Sequence, residues 1–184
     1  LAERGDERVE LLIVTSDRGL CGSFNANIIR RAEQYLKERG RDGTTLHIVG
    51  RRARDYFRRQ PYEIHKAYSD VFRDFSFRKA REAGQDLIDR FVRKELDAVY
   101  MVYNEFKSAI QQNVVVERLL PLQRIEAADA GSTLEYLFEP DPAELLDSLL
   151  QRHVNVQVWA ALLESNAAEN GARMSAMEAA TKNA

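Results

Sequence analysis

The last 43 residues, Pro142 to Ala184, constrain this chain more than any other stretch. Asp141 is suited to an N-cap, Pro142 to the first helical position and Glu144 to the first turn. No further proline follows, and Gly171 is the only glycine. One helix of that length reaches roughly 65 Å. The ~140 residues before it would make a globule about 37 Å across. A single helix must therefore protrude, which sets two expected units: an α/β domain over 1–140 and a long helix over 141–184.

The apolar residues of this helix follow two paths. Leu146, Leu149, Val156 and Leu163 keep a heptad-like spacing, while Leu150, Val154, Val158 and Leu162 form a neighbouring stripe that Trp159 widens. So broad an arc predicts burial against the domain body up to about Leu163. Beyond Glu164 the apolar content thins to Ala167, Met174 and Met177. The heptad register continues through His153, Val156, Ala160, Leu163, Ala167, Asn170, Met174, Met177 and Thr181 to Ala184. That narrow seam fits a coiled coil with a partner helix, or else a frayed amphipathic tail. Nothing elsewhere in the chain reads as the partner.

Upstream, short apolar runs alternate with helical patterns. Strands are predicted at Val9–Thr15, Thr44–Val49, Tyr62–Tyr68, Asp97–Tyr103 and Asn113–Leu122. Helices are predicted at Phe24–Arg39, across the arginine-rich run before Pro61, and at Phe77–Lys94. Strand–helix alternation of this kind signals a parallel sheet with crossover helices. The connection from Asn104 to Gln111 is too short for a crossover, so the fifth strand is expected to run antiparallel.

With 45% hydrophobic and 30% charged residues, the composition is that of a soluble globular chain with one substantial core. No run of ~18 apolar residues is present to span a membrane. Residues 1–81 carry 18 Lys and Arg against 12 Asp and Glu, and residues 82–184 carry 9 against 17. Such asymmetry can mark a nucleic-acid arm. Its densest part, Arg51 to Arg59, reads instead as a solvated helix face, with a specific acidic partner as the alternative.

The enzyme-like stretch is the turn after the first strand, Ser16 to Ser23, where α/β folds often hold phosphates. Its glycines, Gly19 and Gly22, match neither dinucleotide nor mononucleotide loop spacing. A stand-alone phosphate- or nucleotide-binding module using this turn is the alternative function; a structural turn is favoured. Cys21 would need a histidine nearby to act as a nucleophile. His47 and His65 lie inside strands and His153 in the long helix, so a small buried cysteine is the expected reading. Asp86, Asp89 and Arg90 are expected on a helix surface.

Three stretches stand out together: Thr15-Ser16-Asp17-Arg18-Gly19-Leu20-Cys21-Gly22-Ser23-Phe24-Asn25, then Tyr136-Leu137-Phe138-Glu139-Pro140-Asp141-Pro142 with its following leucine pairs, and Ala168 to Met177 with the run Ala179 to Ala184. In order and spacing they resemble the gamma subunit of F-type ATP synthases. The resemblance implies a three-layer mixed five-stranded sheet of order 3-2-1-4-5 and a long protruding helix. It implies a non-catalytic rotor without cofactor, nucleic-acid partner or membrane span. Its partners would be the alpha and beta subunits of the head, the epsilon subunit and the membrane rotor ring. Its place would be peripheral to the inner (cell) membrane, on the cytoplasmic side, in a bacterial-type assembly.

The family's N-terminal helix and C-terminal continuation have no counterpart here, so a central-domain fragment is expected. Carried over by position, Tyr136, Phe138, Glu139 and Asp141 would lie near epsilon and the ring. Glu169, Arg173, Met174 and Met177 would lie on the shaft entering the head. Asp17, Arg18, Gly19 and Gly22 would order the domain against the shaft or touch the head.

Overall fold

A computed structural model describes residues 5–108, 111–122 and 142–183. In chain order the elements are β1 (Val9–Val14), α1 (Phe24–Arg39), β2 (Thr44–Val49), α2 (Arg51–Phe57), β3 (Glu63–Tyr68), α3 (Phe77–Val92), β4 (Ala98–Phe106), β5 (Gln112–Leu120) and α4 (Pro142–Lys182). The strands form one sheet in the order β3-β2-β1-β4-β5. The β1–β2, β1–β4 and β2–β3 pairs are parallel, and β4–β5 is antiparallel. Both the strand order and the direction of the last strand are as expected.

β1 sits at the centre because its sequence is apolar on both faces, and every one of its residues is buried. Leu11 and Ile13 point into a core with Phe24, Ile28, Ala32 and Leu36 of α1 and Phe57 of α2. Leu12 and Val14 point the other way, into a core with Leu87, Ile88 and Phe91 of α3. Two layers of helices thus enclose the sheet. The second strand pair is less regular: the register between β2 and β3 shifts at Leu46/His47, so that His47 pairs with Lys66 rather than His65.

β4 runs three residues further than predicted, because Asn104, Glu105 and Phe106 pair with Val114, Asn113 and Gln112. These polar residues read as a loop from sequence. In the fold, Asn104 is fully buried and its side-chain oxygen accepts the Asn113 N–H at 3.1 Å.

α4 does not lie flat on one layer. Val154, Val158, Ala161 and Leu162 belong to the core shared with α3, whereas Ala168 and Ala172 belong to the core shared with α1. Between them, the fully buried Ser165 accepts the backbone N–H of Asn104 at 3.2 Å. The helix therefore passes from one side of the sheet to the other across the rim at the end of β4. Gly84 of α3 makes room for the crossing, since a Cβ there would collide with the Asn155 side chain of α4. Trp159 locks the approach by stacking on Phe75 at 4.6 Å between ring centroids.

The anchored stretch thus runs from Val154 to Ala172, a correction to the expectation that it ends near Leu163. Leu146 and Leu149 are exposed, because among the described residues no element covers them. Relative to the described residues, the helix extends past the anchored stretch at both ends.

Candidate functional site

The turn between β1 and α1 spends its polar groups on the chain itself. α2 begins after Gly50, which has no side chain with which to cap it. Three residues of the turn supply the missing acceptors. Arg51 N–H donates to Asp17 Oδ1 at 3.1 Å, Arg52 N–H to the Ser16 carbonyl at 3.2 Å and Ala53 N–H to Thr15 Oγ1 at 3.0 Å. Asp17 neither pairs with Arg18 nor caps its own turn. It caps a helix 34 residues further along the chain.

Asn25, in the first turn of α1, holds the loop from inside. Its side-chain amide donates to Ser16 Oγ at 3.0 Å, to the Arg18 carbonyl at 3.2 Å and to Cys21 Sγ at 3.1 Å. Its oxygen accepts the Ser16 N–H at 3.0 Å. Cys21 is buried, as expected of a packing residue. Gly22 has φ +54°, a left-handed conformation that glycine adopts without strain. A Cβ at Gly19 would strike the Arg52 guanidinium. Arg18 is exposed, and with Arg51 and Arg73 it surrounds Asp70. The Arg51 guanidinium, hydrogen-bonded to Asp70, holds that carboxyl below its ordinary range. With these groups engaged internally, the turn offers the phosphate-binding alternative no support.

Of the residues carried over, the structure brings Gly19, Glu169 and Arg173 together. Arg173 donates from Nη1 to the Gly19 carbonyl at 2.8 Å and pairs through Nη2 with Glu169. Glu169 is buried, so its charge needs that partner. The Arg173–Gly19 contact latches the loop to the long helix. With Asp17, Arg18, Asp70, Arg73 and Asn166, the Glu169 and Arg173 side chains line a cleft of about 290 Å³. Tyr136, Phe138, Glu139 and Asp141 lie outside the described residues.

Met174 and Met177 do not join this cluster. Together with Leu146, Leu149, Val156 and Leu163 they are 42–60% exposed. All six belong to the heptad seam. On a helix of 3.6 residues per turn, Val156 and Met174 each lie about half a turn from the buried Ser165. At Val156 and Met174 the seam is thus turned away from the side that Ser165 buries, while Val154, Val158 and Leu162 are buried on that side.

A second polar cluster escaped the sequence reading. Glu10, fully buried in β1, accepts from Arg90 of α3 and lies 3.2 Å from His47 Nδ1. Asp86 of α3 pairs with Lys66 at 2.9 Å and lies 3.4 Å from His65 Nε2. Burial pushes the Asp86 carboxyl up, but Lys66, His47 and His65 outweigh it and hold the carboxyl below its usual range. Asp86 and Arg90 are thus an interface between α3 and the sheet, not a solvated surface. A lone Glu inside an otherwise apolar central strand was the signal, because a buried carboxylate demands a partner. Among the described residues no group of His, Cys, Asp and Glu is arranged to hold a metal ion.

Comparisons with known proteins bear on what a latched domain with an open helical seam belongs to. The family model described as ATP synthase matches residues 1–184. The ATP synthase gamma chain of an Anaeromyxobacter species is 47% identical over 186 residues, covering 100% of this chain and 64% of that one. The gamma chain of Chlorobaculum parvum is 42% identical over 182 residues, covering 96% and 62%. This chain thus spans just under two-thirds of the length of those relatives. Among solved structures, a chain of the Tetrahymena thermophila mitochondrial ATP synthase central stalk and c-ring aligns with a TM-score of 0.78 at 26% identity, covering 98% of this chain and 79% of that one. A chain of the Euglena gracilis mitochondrial ATP synthase rotor shares the fold, with a TM-score of 0.68 at 22% identity over 96% of this chain and 68% of that one. Gamma chains are what this chain is similar to at this level of identity, and with the family model matched from end to end the chain belongs to the ATP synthase family.

Proposed function

We propose that this chain forms the foot and part of the shaft of a central-stalk rotor, coupling proton or sodium-ion translocation to ATP synthesis or hydrolysis in a catalytic head. Residues 1–140 would be the foot and 141–184 one strand of the shaft's coiled coil. The chain itself carries out no chemistry. Alpha and beta subunits would surround the shaft, and the epsilon subunit and membrane rotor ring would hold the foot through the 136–141 region. Among the described residues no helix is long and apolar enough to cross a membrane, in keeping with a subunit peripheral to the cytoplasmic face of a bacterial inner membrane.

The observation that carries this reading is the uncovered seam. Leu146, Leu149, Val156, Leu163, Met174 and Met177 expose an apolar heptad path on the far side of a helix whose near side is already buried. An apolar stripe of that period is what a second helix packs against. Rotation of such a pair would present different sides to each catalytic site in turn.

A chimera provides the test. Residues 1–184 would replace the corresponding segment of the Anaeromyxobacter gamma chain, and inverted membrane vesicles would be assayed for ATP-driven acidification. The expected result is an assembled, pumping enzyme that stops pumping when Val156 and Met174 are both changed to Glu. A folded chimera that neither assembles nor pumps would sink the rotor reading, and so would ATP turnover by the isolated chain.

A further inference from the structure

α4 carries two apolar faces. One, through Val154, Val158, Ala161, Leu162, Ala168 and Ala172, is buried. The other, through Leu149, Val156, Leu163 and Met174, lies about half a turn away and is exposed. Burial is non-directional and scales with apolar area, so by itself it discriminates weakly between two such faces. Rolling the helix by half a turn would bury Val156, Ala160, Leu163 and Ala167 instead. Something else must select the face.

The polar contacts along the rim are placed to do so. β1 stops pairing with β4 at Val102. Two N–H groups further along β4 are taken by α4: Asn104 donates to Ser165 Oγ at 3.2 Å, and Phe106 to Glu164 Oε2 at 3.2 Å. Arg173 supplies the third contact, to the Gly19 carbonyl at 2.8 Å. Glu164 and Arg173 are nine residues apart, or about two and a half turns, so they leave the helix on opposite sides, roughly 13 Å apart along its axis. Ser165 is central on the buried face between them. A roll in either direction breaks one clamp, and a half-turn breaks all three. Leu163 and Ala167, the residues a half-turn would bring round at the level of Ser165, have no side-chain group able to accept the Asn104 N–H; an unpaired buried donor of that kind is costly.

We propose that Ser165, Glu164 and Arg173 are face-selecting residues: they determine which apolar face of α4 is buried and so keep the other free for a partner helix. This is a specificity device within the chain, and it holds whether or not the chain turns. Its consequence for the rotor, that the shaft presents its seam outward, rests on the function proposed above.

Cysteine labelling of the 184-residue chain reads the face directly, with buried Cys21 left in place. Cysteines introduced at Val158 and at Val156 are labelled with a maleimide, and their rates are compared. With the clamps intact, position 156 should react at least tenfold faster than position 158. In the Glu164→Ala/Ser165→Val/Arg173→Ala background, that ratio should fall to within about threefold, with helix content by circular dichroism unchanged, as expected when both faces are sampled. A ratio that stays tenfold in the folded triple variant overturns the proposal. Should the triple variant unfold, Ser165→Thr and Ser165→Val decide, being matched in size but not in hydrogen bonding. Thr should keep the ratio and Val should lower it, and equal ratios overturn the proposal. A chimera that fails to pump while the labelling ratio behaves as expected would count against the rotor and leave the face selection standing.

Discussion

The near and far faces of α4 differ less in composition than in fate. Val154, Val158 and Leu162 are buried; Val156 and Leu163, of the same residue types and on the same helix, are exposed. What separates them is the company each face keeps. The near face carries Ala161, Ala168 and Ala172, small enough for close approach to β4 and to the β1–α1 turn, and it brings Ser165 to a strand N–H that needs an acceptor. The far face carries leucines and methionines, bulky and adaptable, suited to a second helix. An apolar pattern says that a surface will be covered. The small residues and polar groups within it say by what.

That contrast can be broken most forcefully at adjacent positions. Leu162→Ala is expected to cost about 2–5 kcal/mol in urea unfolding of this chain, because it leaves a cavity in the core. Leu163→Ala, one residue on and 42% exposed, should change stability by no more than about 0.5 kcal/mol. Equal costs would mean that the far face is covered in solution. Next in size, Ser165→Ala leaves the buried Asn104 N–H without an acceptor and should cost about 1–3 kcal/mol by the same measurement.

Acid should loosen the near face selectively. α4 rests on α3, which the Asp86–Lys66 pair helps to hold on the sheet. The folded-state pKa of Asp86 is depressed, so its contribution is fully present above the unfolded value and is lost as pH falls through the folded one. Denaturation midpoints followed from pH 6 to about pH 2 should therefore fall less steeply below about pH 4 in Asp86→Asn. That variant should be less stable at neutral pH by about 1 kcal/mol. Parallel curves for the two proteins would remove Asp86 from the account. The smallest effect is expected at Leu20, 75% exposed with φ +62°. Leu20→Gly relieves a left-handed backbone and should raise the unfolding free energy slightly, by up to about 1 kcal/mol in urea unfolding.

Much of this architecture was legible from the residues. α1 and β2 occupy the predicted ranges, the apolar β1 lies at the centre, and the short link after β4 returns the chain antiparallel. Both apolar paths on α4 were readable by spacing. The point at which the body releases the helix was not, because that depends on where the sheet's rim falls. The Gly19–Arg173 latch joins residues 154 apart, and no local pattern announces such a contact. Two omissions had usable signals. Glu10 broke an apolar run that is buried on both faces, and Gly50 stood where a capping oxygen belongs.

The capping of α2 from the first turn also bears on how the chain acquires its structure. A seven-residue helix is far too short to hold itself together in water, and this one has no N-cap side chain of its own. Its first three N–H groups wait on Thr15, Ser16 and Asp17. α2 should therefore be absent in peptides that start after the turn, and should form only once β2 has paired alongside β1. Synthesis from the N-terminus delivers the template some thirty-five residues before its client, so the arginine-rich segment meets a waiting set of acceptors as it emerges.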